Sequence, residues 1–299
     1  MKRLLVTGAG GMVGSEVSER APRAGWAVFA HSRAMLDIAN ATAVESAVRE
    51  GRPDVIINCA AYTAVDRAES EAAQAAAVNT TGARNVAAAA AAAGVPIIHV
   101  STDYVFGGEG RVPFTPDAPT SPLGVYGVTK LAGETAVREE SPHHAIIRAS
   151  WIFSHRGQNF VRTMLRLAAE REELRVVDDQ VGRPTSSADL ADALLVVADA
   201  VTGDRKSTGT YHFANAGETS WFGFAAAILH ELAKRGESRV PRLVPIATSD
   251  YPTPARRPAY SVLDTATFEA RFGIVPRSWR DALRDTIDSS LLATPAAQA

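Results

Sequence analysis

Tyr126 and Lys130 stand four residues apart at the start of a helical segment reaching about Val137. That spacing puts a phenol and an ammonium on one helix face. Upstream, the apolar run Val95 to Val100 reads as a buried strand entered from Gly94, and it delivers Ser101 and Thr102 at its end. Open α/β sheets hold their ligands at the carboxyl ends of strands. A phenol, a hydroxyl and an ammonium converging there form a kit for passing a proton to a carbonyl oxygen. That chemistry needs a hydride donor.

The N-terminus supplies a place for one. Residues 3–7 read as a short strand running into Gly8-Ala9-Gly10-Gly11-Met12-Val13-Gly14. A helix to about Ala24 follows, then Gly25 and a strand from Trp26 to Ala30. This is the βαβ pattern that cradles a dinucleotide, with Gly8 for the tight turn, Gly11 for backbone approach to a pyrophosphate and Gly14 for close packing. The phosphates rest on the helix N-terminus, where amides and dipole favour anions. The second strand ends His31-Ser32-Arg33 with no carboxylate for a ribose hydroxyl. Arg33 either meets a 2′-phosphate, favouring NADPH over NADH, or lies in a surface loop. Asp37 and Ile38, ahead of a helix near 42–50, either touch the adenine or start a turn. A third strand, Asp54 to Cys59, ends in Ala60 and Ala61, small enough for a ribose and nicotinamide to lie against backbone.

The remaining elements must hold these groups. A long helix is expected over 72–93, with Asn79 near its middle and an alanine-rich tail of high helix propensity. A surface loop fills 107–124, helix 125–141 follows, and strand Ala145 to Ser150 continues into Trp151-Ile152-Phe153. Beyond come helix 158–171, strand 174–177, helix 188–201, strand Thr210 to Ala214, helix 220–235, proline-rich loops and short helices at 264–272 and 279–290. The alternation predicts an α/β fold: a doubly wound parallel sheet of Rossmann type with a smaller, interleaved C-terminal substrate-binding lobe. Residues 1–150 are the expected dinucleotide-binding domain, rejoined around 186–216, and 151–299 mainly the substrate lobe.

Composition excludes several classes. A chain of 299 residues with 46% hydrophobic content and net charge −2 gives no reason to expect nucleic acid or an anionic membrane as partner. The lone Cys59 allows no intrachain disulfide, fits a reducing compartment and reads as an inert buried thiol. With no signal-peptide core and no membrane-length apolar run, the expected location is cytoplasmic. His99, His143, His144 and His212 lack metal-ligand spacing and read as structural, so no metal site is assigned.

These motifs resemble the extended short-chain dehydrogenase/reductases: Gly8-x-x-Gly11-x-x-Gly14, Asn79, Thr102 and Tyr126-x-x-x-Lys130. More narrowly, from about residue 2 to 285, the chain resembles the dTDP-4-dehydrorhamnose reductases. The strings are Asn58 to Asp66 (NCAAYTAVD), Ser101 to Phe106 (STDYVF), Val125 to Glu134 (VYGVTKLAGE), Asp179 to Thr185 (DQVGRPT) and Tyr251 to Pro258 (YPTPARRP). The resemblance implies hydride transfer from NADPH or NADH to carbon 4 of a 4-keto-6-deoxyhexose carried on dTDP. Thr102, Tyr126 and Lys130 fall on the catalytic positions. Gly11, Met12, Val13, Asp37, Ile38, Ala60, Ala61, Thr63, Tyr126 and Lys130 fall on the cofactor positions. Met12 departs from a turn that often holds a polar residue, which a backbone contact tolerates. Thr102 and Asp103 face the sugar and Trp151 walls its pocket. The 179–185 string brings Arg183 to the substrate loop. Arg256 and Arg257 are candidates for the diphosphate, since guanidinium fits phosphate oxygens in pairs.

Lys130 is expected to lower the Tyr126 pKa together with the oxidised nicotinamide's charge, and to bond the nicotinamide ribose. Magnesium and a homodimer are left open by the resemblance. A dehydratase would bring an acidic pair beside Thr102, where this chain has Asp103 alone. A related dTDP-deoxyketose reductase and a non-catalytic NADP-binding regulatory subunit remain as alternatives.

Overall fold

The computed structural model describes residues 1–204, 207–236 and 240–292. The end of the expected substrate lobe, 293–299, and positions 205–206 and 237–239 lie outside the described residues. Six parallel strands form the main sheet, in the order Gly209–His212, His144–Ala149, Ile97–Thr102, Val55–Asn58, Lys2–Thr7, Trp26–His31. The inner strands are near-continuous runs of Val, Ile and Leu, as strands covered on both faces must be. One face packs on helices Met12–Arg20 and Ser187–Gly203, the other on Ala41–Gly51, Ala83–Ala93 and Val125–Glu140. Each fully buried Val, Ile or Leu contributes roughly 1.5–3 kcal/mol to this arrangement. Strand order reverses between Lys2–Thr7 and Val55–Asn58, and the crevice at such a switch point is where these sheets bind ligands. The pairing of Gly209–His212 with His144–Ala149 returns the chain to the sheet after its first excursion.

Helices Phe160–Glu170, Trp221–Lys234 and Trp279–Leu292 pack around Phe153, Phe224 and Trp279, beside a two-stranded parallel pair, Glu173–Val177 with Arg242–Ile246, whereas Ala266–Phe272 joins the main core through Phe268. Three expectations change. The first helix stops at Arg20 and turns to Gly25, so it does not reach Ala24. The proline-rich final third contains the strand Arg242–Ile246, Pro245 included. It pairs on one side only, where a missing N–H is tolerated.

The third change touches the site. The helix expected over 72–93 is interrupted by a π-helical stretch, Ala77–Gly82, between Ala72–Ala76 and Ala83–Ala93. The wider turn aims Asn79 inward. Its Oδ1 accepts from Tyr62 N at 2.8 Å, and its Nδ2 donates to Tyr62 O and to Thr129 Oγ1, both at 3.1 Å. One buried amide thus ties the loop after the third strand to the helix carrying Tyr126 and Lys130.

Candidate active site

The Lys2–Thr7 strand delivers Gly8 at φ +69°, where a Cβ would stand 2.5 Å from Ala60 N. A Cβ on Gly14 would stand 2.3 Å from Gly8 O, so the helix begins tight beneath the turn. No side chain caps that helix at Gly11, and uncapped amides at a helix N-terminus suit an anion. The turn opens on a cleft of about 470 Å³. Every cofactor position expected from the sequence lines it: Gly8, Gly11, Met12, Val13, Gly14, Ser32, Arg33, Asp37, Ile38, Ala60, Ala61, Thr63, Tyr126 and Lys130. Arg33 is exposed at its rim. Asp37 also makes the turn foreseen as its alternative role, accepting from Ala39 N at 3.0 Å.

Tyr126 sits in the first turn of helix Val125–Glu140, whose Val125 N–H donates to Glu69 Oε1 at 2.9 Å. Its ring meets Tyr104 edge-on, centroids 5.4 Å apart. Desolvation pushes the phenol up to about 12; the Thr102 hydroxyl offsets part of this and Asp103 adds to it. The expected lowering by Lys130 is absent from the free chain, because the lysine points elsewhere. Lys130 is buried, donates to Val100 O at 2.7 Å and lies 3.3 Å from His99 Nε2. Thr102 Oγ1 donates to Asp103 Oδ1 at 3.1 Å and accepts from Tyr104 N at 3.2 Å. Burial pushes Asp103 up to about 7. The Ser261 and Thr102 hydroxyls offset part of that rise, and Asp103 is buried behind Thr102.

The expected substrate residues are more scattered. Trp151 adopts φ +46° and lies flat on Trp221, with ring centroids 3.6 Å apart. Arg183 donates to Leu263 O at 2.7 Å and lines a separate depression with Glu218, Asp264 and Glu269. Arg257 is forked onto Asp66 at 3.0 and 2.7 Å, whereas Arg256 is exposed. The two adjacent arginines therefore do not act as a free pair.

Sequence reasoning missed a buried ionic cluster behind helix Val125–Glu140. Glu134, fully buried, accepts a fork from Arg148 at 2.8 Å on each oxygen, with further bonds from Ser101 at 2.7 Å and Arg138 at 2.8 Å. Polar residues inside an apolar strand (Arg148) and on a helix's inner face (Glu134) were its only signal.

The model of the RmlD substrate binding domain family matches residues 1–292. This chain belongs to the RmlD family. A Streptomyces griseus relative described as dTDP-4-dehydrorhamnose reductase is 46% identical over 286 residues, covering 95% of this chain and 92% of its own. The crystal structure of a dTDP-4-dehydrorhamnose reductase from Clostridium acetobutylicum is 39% identical. It superposes with a TM-score of 0.90 over 98% of this chain and 100% of that one. A Bacillus anthracis dTDP-4-dehydrorhamnose reductase solved in complex with NADP is 36% identical, with a TM-score of 0.89 over 96% and 99% of the two chains. In this RmlD chain the Gly8–Gly14 cradle fits a dinucleotide, since added Cβ atoms at its two ends would collide with backbone. Magnesium finds no support: among the described residues no group of three or more His, Cys, Asp or Glu side chains could hold a metal ion. Nor, among them, is any helix long and apolar enough to cross a membrane.

Proposed function

We infer that the chain is an NAD(P)H-dependent dTDP-4-dehydrorhamnose reductase that converts dTDP-4-dehydro-L-rhamnose into dTDP-L-rhamnose. The observation that carries this is identity of 46% across 95% of the chain to a protein of that description, combined with Tyr126 and Lys130 lining the cleft and Thr102 bonded to the Tyr126 phenol behind them. Residues 1–150, with the return around 186–216, hold the dinucleotide, and the elements from 151 onward mainly hold the sugar nucleotide. Arg33 at the rim favours the 2′-phosphate and hence NADPH, since a guanidinium fits phosphate and no carboxylate ends the second strand. A cytoplasmic site of action suits a chain whose single thiol, Cys59, is pushed up to about 12 by burial and stays unreactive.

Bound in the cleft, the reduced nicotinamide supplies the hydride for carbon 4 of the ketosugar. Tyr126 holds its proton at neutral pH because burial raises it, so it enters the reaction as an acid. As negative charge builds on the carbonyl oxygen, the phenol gives that oxygen its proton and becomes phenolate. Thr102 keeps a hydroxyl beside the phenol, and Asp103, bonded to that hydroxyl, faces the sugar with it. Lys130 holds the nicotinamide ribose and, once charged, stabilises the phenolate until solvent restores the proton. Trp151 walls the sugar site. Arg256, exposed beside the Asp66–Arg257 pair, is the guanidinium free for the diphosphate; Arg257 sets the loop. Arg183 shapes the substrate loop from behind, through Leu263 O.

The test follows the reduced-nicotinamide absorbance with dTDP-4-keto-6-deoxyglucose, with and without its 3,5-epimerase. Cofactor oxidation that requires the epimerase is the expected result. Oxidation without it would reassign the chain to a related deoxyketose reductase. Cofactor binding without oxidation in either case would make it a regulatory subunit.

A further inference from the structure

The partners of Lys130 fix more than its position. The Thr7 hydroxyl donates to Asn58 Oδ1 at 2.6 Å, and the Ala60 backbone N–H donates to the same atom at 3.2 Å. A backbone N–H can only donate, so that atom is the amide oxygen and the amide nitrogen faces His99. Asn58 Nδ2 lies 3.1 Å from His99 Nδ1. An amide nitrogen donates, so Nδ1 is the acceptor, and the neutral imidazole carries its proton on Nε2. That N–H lies 3.3 Å from Lys130 Nζ. An ammonium has three donors and no acceptor. A charged Lys130 therefore sets N–H against N–H, whereas an uncharged amine accepts from His99 while donating to Val100 O at 2.7 Å.

The surroundings favour the same state. Asn58 is 0%, His99 1% and Lys130 2% exposed. Burial, followed by Lys130 and Arg138, holds the imidazole well below its usual range. Burial pushes Lys130 down to about 8 against the opposing pull of Glu134 and Cys59. Glu134, on the lysine's own helix, is itself neutralised by Arg148 and Arg138. Cys59, just past strand Val55–Asn58, stays a thiol. Tyr126, one turn earlier on the helix, holds its proton.

We propose that His99 is a positioning residue acting through Lys130: fixed by Asn58 as the Nε2–H tautomer, it favours the uncharged, accepting lysine in the free enzyme, so that at alkaline pH dinucleotide binding draws a proton from solvent onto Nζ. The proposal rests on the reading of the cleft as a nicotinamide dinucleotide site. An anionic ligand with fresh acceptors favours the ammonium. Below the free lysine's pKa the charge is already present and affinity is flat. Above it, each pH unit weakens NADPH binding about tenfold until the bound enzyme's own pKa is reached. A residue that only filled space would change affinity equally at all pH values.

Two measurements on the full chain decide this. Nitrogen-15 spectra of histidine-labelled free protein, with His99 assigned through H99Q, report the tautomer; the expected ring is neutral with its proton on Nε2 from about pH 6 to about pH 9. Calorimetry of NADPH binding in buffers of different ionisation heat is expected to show proton uptake near zero at about pH 6 and approaching one at about pH 9. Asn58→Asp keeps the shape but can only accept, which moves the ring proton to Nδ1 and makes Nε2 an acceptor for the ammonium. That variant is expected to bind NADPH about tenfold more tightly than wild type at about pH 9, and equally at about pH 6. An Nδ1–H ring or an imidazolium in the free wild type overturns the proposal and leaves the dinucleotide reading standing. An Asn58→Asp profile identical to wild type also overturns it. Absence of NADPH binding at every pH overturns both.

Discussion

Tyr126→Phe is expected to lower kcat about 1,000-fold, within the 10²–10⁴ range of a positioned general acid, while NADPH affinity stays within about threefold of wild type. Phe keeps the ring that meets Tyr104 edge-on at 5.4 Å, so the cleft retains its shape and only the proton is lost. Neither Thr102 nor Lys130 can replace it. Thr102 already donates to Asp103 and accepts from Tyr104 N. Lys130 is turned toward Val100 O and His99. Stopped-flow oxidation of NADPH gives the rate and quenching of protein fluorescence gives the affinity. A variant retaining more than about a tenth of the wild-type rate would move the acid to another group.

Glu134→Gln is expected to cost about 3–5 kcal/mol of stability, the range for breaking a buried ion pair from one side. Gln has nearly the shape of Glu, so the loss reports charge: Arg148, 2% exposed, is left without its carboxylate. The cluster matters because Arg148 also donates to Pro116 O at 3.1 Å and lies over Phe106, joining the sheet, helix Val125–Glu140 and the loop at 107–124. Burial raises the Glu134 pKa, but the fork from Arg148, the Ser101 hydroxyl and Arg138 outweigh it, and the net value lies below the ordinary one. A carboxylate with a depressed folded pKa stabilises above its unfolded pKa, about 4.3, and loses that contribution as pH falls through the folded value. The deficit of the variant, measured by urea unfolding, should therefore be full at neutral pH and shrink in acid. A neutral-pH deficit below about 1 kcal/mol would reduce the cluster to an ordinary set of surface-strength pairs.

What the sequence revealed and what it hid divide along local and non-local lines. The Gly8–Gly14 turn and the Tyr126–Lys130 pair are encoded within a few residues, so spacing alone located them. The alanines of 72–93 lie on every face, so their periodicity cannot separate an α-turn from a π-turn. The inward pull of Tyr62 and Thr129 on Asn79 decides it. Pro241 and Pro245 hid the strand Arg242–Ile246, because an edge strand tolerates what a central one does not. The Asp66–Arg257 fork joins positions 191 residues apart. His99 looks like any polar residue in an apolar strand until Lys130 and Asn58 are seen on its two ring nitrogens. Tyr126 and Lys130 share a helix face, yet the buried acceptor at Val100 O wins the lysine in the free chain.

The central claim is hydride delivery to carbon 4 of the ketosugar. Its most direct test supplies NADPH deuterated at the transferable position, with dTDP-4-keto-6-deoxyglucose and the 3,5-epimerase, and locates the label in the product by NMR. Deuterium at carbon 4 of dTDP-L-rhamnose is the predicted result. An unlabelled sugar, or label at any other carbon, would contradict it.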